Sequence, residues 1–264
     1  METAGYLFAL SIGLSLGLIG GGGSILTVPI LVYFFTVNPV LATTYSLFIV
    51  GITSAAGAVS HYQKGNINFR VALLFGLPSL AAVFSMRKWV MPAVPHHLFW
   101  IAGIEVTKPV LLMTMFAVLM LTASLSMLLK RNKPVGNGPR PIIYSRLIMQ
   151  GIIVGIITGF VGVGGGFLII PSLVLFAGLP MKKAVGTSLM IMTISSLLGV
   201  LGDVSDHVSI DYRFLLSFSA VAVAGIVTGS HLTKYVRDEK LKPAFGWFVL
   251  AMGIFVLITT FDKI

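Results

Sequence analysis

The sequence predicts an all-α polytopic membrane protein built from two inverted-topology repeats, and three observations carry this prediction. Apolar residues make up 56% of the 264 positions and charged residues only 10%, whereas soluble domains carry about 25% charged residues. Long stretches such as 3–63 and 147–181 contain no Asp, Glu, Lys or Arg. A glycine-rich apolar segment also occurs twice. Since about 20 apolar residues of helix cross a bilayer core, these stretches are typical of membrane-spanning helices.

The repeated segment reads "GLIGGGGSILTVP" at 17–29 and "GFVGVGGGFLIIP" at 159–171. With a constant offset of 142 positions, 16 of the 41 residues from Gly17 to Gly57 are identical in the second copy. The matches include glycine, proline and serine, so chance alignment of two apolar stretches is a poor explanation. We therefore divide the chain into a first repeat at 1–129, a polar cytoplasmic linker at 130–142 and a second repeat at 143–264.

Each repeat is expected to contain one glycine-broken segment followed by three apolar helices. The broken segments cover 5–35 and 147–177. The helices are expected near 41–60, 70–88 and 107–129 in the first repeat, and near 183–203, 213–232 and 243–261 in the second. Residues 90–106 are an additional interfacial piece of the first repeat.

The distribution of charge predicts that the broken segment enters the membrane and returns. A continuous helix of 31 residues would be about 46 Å long, too long for one untilted crossing, and its pieces of about 15 and 12 residues are each too short to cross alone. A single crossing would leave nine Lys and Arg residues on each side of the membrane. A re-entrant hairpin places 13 on one side and five on the other, as the positive-inside rule requires. Three full crossings per repeat then invert the second repeat and place both termini outside the cytoplasm.

The glycine breaks are the candidate binding site. Backbone N–H groups at the start of a helix lack intrahelical partners and carry the positive end of the helix dipole. Glycines allow a ligand to approach that backbone. The predicted site consists of Gly20, Gly21, Gly22, Gly23, Ser24, Gly162, Gly164, Gly165 and Gly166, with hydroxyl donors from Thr44, Ser46, Thr187 and Ser188. The alternative is that the glycines only allow close packing of helices.

The placement of charge favours a small anionic substrate. All eight acidic residues fall at the ends of spans or in loops, whereas a cation or proton carrier usually keeps a carboxylate inside the membrane. The expected interior offers neutral N–H and hydroxyl donors. The chain has no cysteine, and no cluster of His, Asp or Glu inside the spans predicts catalysis, a metal or a cofactor. Nucleic acid is excluded as a partner because topology explains the basic residues at span ends.

The segments "GLIGGGGSILTVPIL" and "GFVGVGGGFLIIPSLVLFAGLPMKKAVGTSL" resemble the two signature segments of the sulfite exporter family, TauE/SafE type. The resemblance implies a multi-pass permease of the bacterial inner membrane that moves sulfite or organosulfonates such as sulfoacetate, with export as the expected direction. The first repeat departs from the pattern, because Thr44 and Tyr45 stand where Gly186 and Thr187 stand in the second. An anion channel and a non-transporting scaffold subunit remain alternatives, and homo-oligomerisation stays open.

Overall fold

The computed structural model describes residues 2–95, 97–101, 104–129, 144–162, 164–203, 211–232 and 238–262. The predicted linker at 130–142 lies outside the described residues. Apart from one short β-hairpin, the regular structure of the described residues is helical, so the predicted all-α class is confirmed.

In the first repeat the broken segment forms two helices, and three long helices follow. The elements are α1 (Glu2–Ile19), α2 (Gly22–Pro29) extended by a π-helical turn (Ile30–Phe34), α3 (Pro39–Gln63), α4 (Phe69–Ser85) extended by a second π-helical turn (Met86–Val90), the single turn α5 (Met91–Ala93), the antiparallel strands β1 (His97–Ile101) and β2 (Ile104–Thr107), and α6 (Lys108–Leu129). The additional piece predicted at 90–106 is therefore the end of α4, the turn α5 and the hairpin.

The second repeat follows the same order, and its described residues contain no hairpin. Its helices are α7 (Tyr144–Val161), α8 (Gly166–Leu175), α9 (Met181–Asp203), α10 (Tyr212–Leu232) and α11 (Asp238–Phe261).

Asparagine caps begin two of the long helices of the first repeat. The Asn38 side chain accepts a hydrogen bond from the Val40 N–H at 2.9 Å, and Pro39 follows the cap. The Asn68 side chain accepts one from the Val71 N–H at 3.2 Å. Each asparagine satisfies a backbone donor that the first helical turn leaves unpaired, which explains why α3 and α4 begin at these positions.

The chain reverses direction at the first glycine break. The rings of Phe8 and Phe34 lie 4.4 Å apart between centroids, and a Cβ on Gly5 would strike the ring of Phe35. The start of α1 and the end of the α2 extension therefore lie at the same end of the molecule, as the re-entrant prediction requires. A single crossing would separate them by the length of both helices.

The long helices run between two ends of the molecule. We name end A the end where Gly5, Phe35 and Asp211 line one cavity. End B is the opposite end, where the Asn68 N–H donates to Thr187 Oγ1. The helices alternate in direction along the chain, so α1 and α3 run from end A to end B, whereas their repeat equivalents α7 and α9 run from end B to end A.

Glycine faces join the two repeats. Helix α1 packs along α10, and a Cβ on Gly225 would lie 3.0 Å from the Gly13 Cα. Helix α7 packs in the equivalent way along α4, where a Cβ on Gly155 would lie 2.5 Å from the Ser79 carbonyl oxygen. Small residues at such contacts let membrane helices approach closely.

Six helices among the described residues are long and apolar enough to cross a membrane: Pro39–Gln63, Phe69–Ala93, Lys108–Leu125, Tyr144–Val161, Met181–Asp203 and Tyr212–Leu232. Five match predicted crossings, and the sixth is α7, the first limb of the second hairpin. Both first limbs have 18 residues, about 27 Å of helix. The hairpins therefore reach deeper than the expected limb of about 15 residues.

We expect the two ends of the first hairpin to be accessible from one side of the membrane. The chain has no cysteine, so single cysteines report position cleanly. A membrane-impermeant maleimide should label Thr36→Cys from the same side as an N-terminal tag, and should label Gln63→Cys only from the other side. Labelling of Thr36→Cys from the side opposite the tag would contradict the reversal.

Gly155→Leu should weaken the packing of α7 on α4, because the larger side chain would enter the backbone of α4. Overpacking of this kind costs about 1–3 kcal/mol. The melting temperature of the detergent-purified protein should fall. Ile156→Leu is the matched control, since Ile156 is exposed on the next position of the same helix. Equal melting temperatures for the two variants would refute the α4–α7 contact.

Candidate functional site

The two glycine breaks touch each other inside the protein. A Cβ on Gly166 would lie 2.7 Å from the Gly21 Cα, and a Cβ on Gly21 would strike the Gly166 carbonyl group. Helices α2 and α8 both begin at this contact. The fold therefore brings the two predicted half-sites together, although they are far apart in the sequence.

Left-handed glycines make both breaks. Gly20 has a φ of +77°, Gly162 of +73°, and Gly165 of +77°, a region that other residues rarely adopt. Gly20 and Gly162 each end a helix by donating a hydrogen bond four residues back, to Leu16 at 2.7 Å and Thr158 at 2.8 Å. The primary structural role of these glycines is therefore to end a helix and change the direction of the chain.

The second break extends from near end A toward the centre of the molecule. Gly162 lies against Thr43, one turn into α3 from end A, whereas Gly164 lies against Val50 and Ser196. Thr43 and Val50 are separated by seven residues of helix, about 10 Å. Gly20 in the first break instead contacts Val185, one turn into α9 from end B.

Several predicted hydroxyl groups are already engaged. Ser24 Oγ donates to the Gly21 carbonyl at 2.7 Å, and Ser188 Oγ donates to Val185 of its own helix at 2.8 Å. Thr187 Oγ1 accepts the Asn68 N–H at 3.0 Å. These three side chains support the backbone around the breaks.

Other serine hydroxyls are buried without a hydrogen-bond partner. Ser46, Ser54 and Ser196 are each 0% exposed, and their Oγ atoms have no partner. Ser54 and Ser196 occupy equivalent positions of the two repeats. A Cβ on Gly164 would lie 2.8 Å from Ser196 Oγ, so this hydroxyl faces the second break. Ser54 and Ser196 were not among the predicted site residues, and their equivalence in the repeat was the available signal.

A buried ion pair lies beside the second break. Arg87 Nη1 donates to Asp203 Oδ2 at 3.0 Å and to Thr43 Oγ1 at 3.0 Å. Thr44 Oγ1 donates to the same carboxylate oxygen at 2.7 Å. Among the described residues, Arg87 and Asp203 form the one ion pair with side-chain atoms within 4.0 Å. The expectation that the interior offers only neutral donors is therefore wrong beside the second break.

From the sequence, both members of the pair are expected at the ends of membrane spans. Arg87 lies in the π-helical extension of α4, which keeps it inside the protein at 2% exposure. Neighbouring Lys88 is exposed. The sequence "MRKWV" does not distinguish these two basic residues, because only the packing of α4 against α7 and α9 decides which one is buried.

The polar residues near end B include a histidine, a lysine and a serine, unlike the Arg87–Asp203 pair near end A. His61 is 2% exposed, and Lys64 Nζ donates to the Ser230 carbonyl at 3.1 Å. His61 stands at the repeat position of Asp203, and Ser230 stands at that of Arg87 once the inserted residue is counted. The repeats thus place unlike side chains at equivalent positions.

Two cavities lie outside the breaks. One of about 440 Å³ at end A is lined by residues including Tyr6, Phe35, Asp211 and Arg213. The other, of about 280 Å³, lies between the α2 extension, α6 and α11. Within the described ranges no group of three or more His, Asp or Glu is placed to hold a metal ion.

Comparison with known proteins agrees with the resemblance. The model of the sulfite exporter TauE/SafE family matches residues 6–256. A probable membrane transporter protein of Xylella fastidiosa is 30% identical over 253 residues, which cover 93% of this chain and 91% of that protein. One from Bacillus subtilis is 26% identical over 251 residues, covering 93% and 96%. One from Methanocaldococcus jannaschii is 24% identical over 261 residues, covering 94% and 92%.

No solved structure matches the chain. The family model spans both glycine breaks and nearly all of the described helices, and these relatives align along more than nine-tenths of the chain. The chain therefore belongs to the sulfite exporter TauE/SafE family of membrane transporters.

Proposed function

We propose that this protein is a secondary transporter that exports a small sulfur-containing anion, either sulfite or an organosulfonate such as sulfoacetate. Membership of the family supports the substrate class. The observation that carries the proposal is the contact between Gly21 and Gly166, since it places the starts of two helices at one point inside the protein. Helix starts present N–H donors and positive dipole ends, which suit an anion.

The proposed site lies around the two breaks. Its backbone donors come from Gly20–Ser24 and from Gly162, Gly164, Gly165 and Gly166. Among the proposed hydroxyls, Ser46 is buried without a partner, and we add Ser196 because it faces Gly164. Thr44, Thr187 and Ser188 act by holding the surrounding helices, as their hydrogen bonds indicate.

Alternating access is the proposed mechanism, based on an inverted-topology repeat. The opposite directions of equivalent helices in the two repeats support this arrangement, which is common among secondary transporters. The packed contact of the breaks separates end A from end B. That contact favours a carrier over a channel, since a channel needs a continuous path.

The proposed orientation places end B in the cytoplasm and end A outside the inner membrane of a bacterium. The linker and the basic residues Lys64, Lys182 and Lys183 then face the cytoplasm, as the positive-inside rule favours. Both termini lie outside.

Counterflow in proteoliposomes tests the function. Vesicles that contain the purified protein and unlabelled sulfite or sulfoacetate should accumulate the same labelled anion transiently above equilibrium, because a carrier exchanges substrate across the membrane. Conductance without counterflow would favour the channel. The absence of both, with correctly folded protein, would favour the scaffold.

Ser196→Ala should weaken transport without destabilising the protein. The hydroxyl has no partner in the structure, so its removal leaves no group unsatisfied, whereas a substrate hydrogen bond would be lost. We expect the apparent KM for the transported anion to rise by roughly fivefold or more. Ser195→Ala is the matched control, because Ser195 Oγ donates to Met192 of its own helix. Equal KM values for the two variants would remove Ser196 from the site.

A further inference from the structure

Arg87 is a buried cation with unused hydrogen-bond donors. The side chain is 1% exposed, and its Nε and Nη2 atoms have no partner. Only Nη1 contacts Asp203 and Thr43. Buried charged groups are costly unless they are paired and hydrogen-bonded, and buried donors without partners are rare in proteins. The free side of this guanidinium therefore requires an explanation.

The free side of Arg87 faces the second helix break. A Cβ on Gly162 would strike Arg87 Nη2 and the Thr43 side chain. Glycine at this position thus lets Nη2 lie directly against the backbone of the break, where the Cβ of any other residue would clash. The same unwound stretch continues through Gly164, which faces the unpartnered Ser196 hydroxyl. Arg87 and Ser196 are consequently two buried donors along one break.

We propose that Arg87 binds the transported anion directly, with Nε and Nη2 holding two oxygens of a singly charged –SO3⁻ group. This inference rests on the proposed transport function and specifies the cationic contact of the same site. Asp203 and Thr43 hold Nη1, so they position the guanidinium and leave its other edge for the substrate.

The geometry selects the substrate by shape and by charge. A guanidinium edge presents two parallel N–H donors that match the oxygens of an oxyanion, which a spherical halide cannot provide. The Asp203 carboxylate already neutralises Arg87. A sulfonate group therefore brings one negative charge to the buried pair, whereas sulfate brings two on the same group. An organosulfonate is favoured over both chloride and sulfate.

The repeat makes this contact unique to one half of the protein. Ser230 stands at the equivalent position near end B, where it accepts a hydrogen bond from Lys64 through its backbone carbonyl. The guanidinium thus marks the part of the substrate path that lies nearer end A.

The test measures anion binding to the purified full-length protein by thermal shift at constant ionic strength. The probes are methanesulfonate, sulfate and chloride. Wild-type protein should be stabilised by methanesulfonate more than by sulfate, and not by chloride. Arg87→Lys keeps the charge but removes the two-donor edge, and it should raise the apparent Kd for methanesulfonate by about tenfold or more. Lys88→Gln, the exposed neighbour, should leave that Kd unchanged.

A second pair of variants separates substrate binding from a structural role. Asp203→Asn should strengthen sulfate binding by about tenfold, since the repelling carboxylate is gone. A purely structural ion pair would only lose stability in this variant. The double variant R87Q/D203N replaces the pair with neutral side chains of similar size, so it should fold but bind none of the probes.

The outcomes distinguish this inference from the proposed function. Unchanged methanesulfonate affinity in Arg87→Lys or in the double variant would overturn the role of Arg87 while leaving transport intact. Unchanged sulfate affinity in Asp203→Asn would overturn the charge selection. Failure of wild-type protein to bind methanesulfonate would overturn this inference alone. Failure to catalyse counterflow of sulfite and sulfoacetate would overturn the proposed function and this inference with it.

Discussion

Backbone groups that leave a helix inside a membrane must find partners within the protein, and this constraint governs the arrangement around Gly21 and Gly166. Each break ends one helix and starts another, so unpaired N–H groups collect where the two breaks touch. The surrounding helices are arranged to enclose this point. Glycines at the contacts between α1 and α10, and between α7 and α4, allow the first helix of each hairpin to pack closely against the other repeat.

The ion pair of Arg87 and Asp203 joins this enclosed region to end A. It connects α4 to α9, and through Thr43 and Thr44 it also reaches the start of α3. Removing one partner of a buried pair typically costs about 3–5 kcal/mol. A rearrangement that opens end A would have to carry these three helices together, or exchange Asp203 for another anionic partner of Arg87. The pair therefore ties the packing of these three helices together at that end.

The two ends of the protein are formed by equivalent helices but carry different polar side chains. Equivalent positions carry Asp203 near end A and His61 near end B, and likewise Arg87 and Ser230. Equivalent helices therefore run in opposite directions with unlike side chains, so the two ends of the protein differ in charge.

The helices, the repeat, the glycine breaks and the reversal of the chain were predictable from the sequence, because they depend on local composition and on the count of charges along the chain. Asn38 and Asn68 mark the starts of α3 and α4 for the same reason. Which polar groups meet depends on the three-dimensional packing of the helices. Arg87 lies 116 residues from Asp203, and Ser196 faces Gly164 of the second break. Burial of one basic residue beside an exposed one, and the engagement of Ser24 or Thr187, follow from packing between distant segments, which residue type and spacing do not encode.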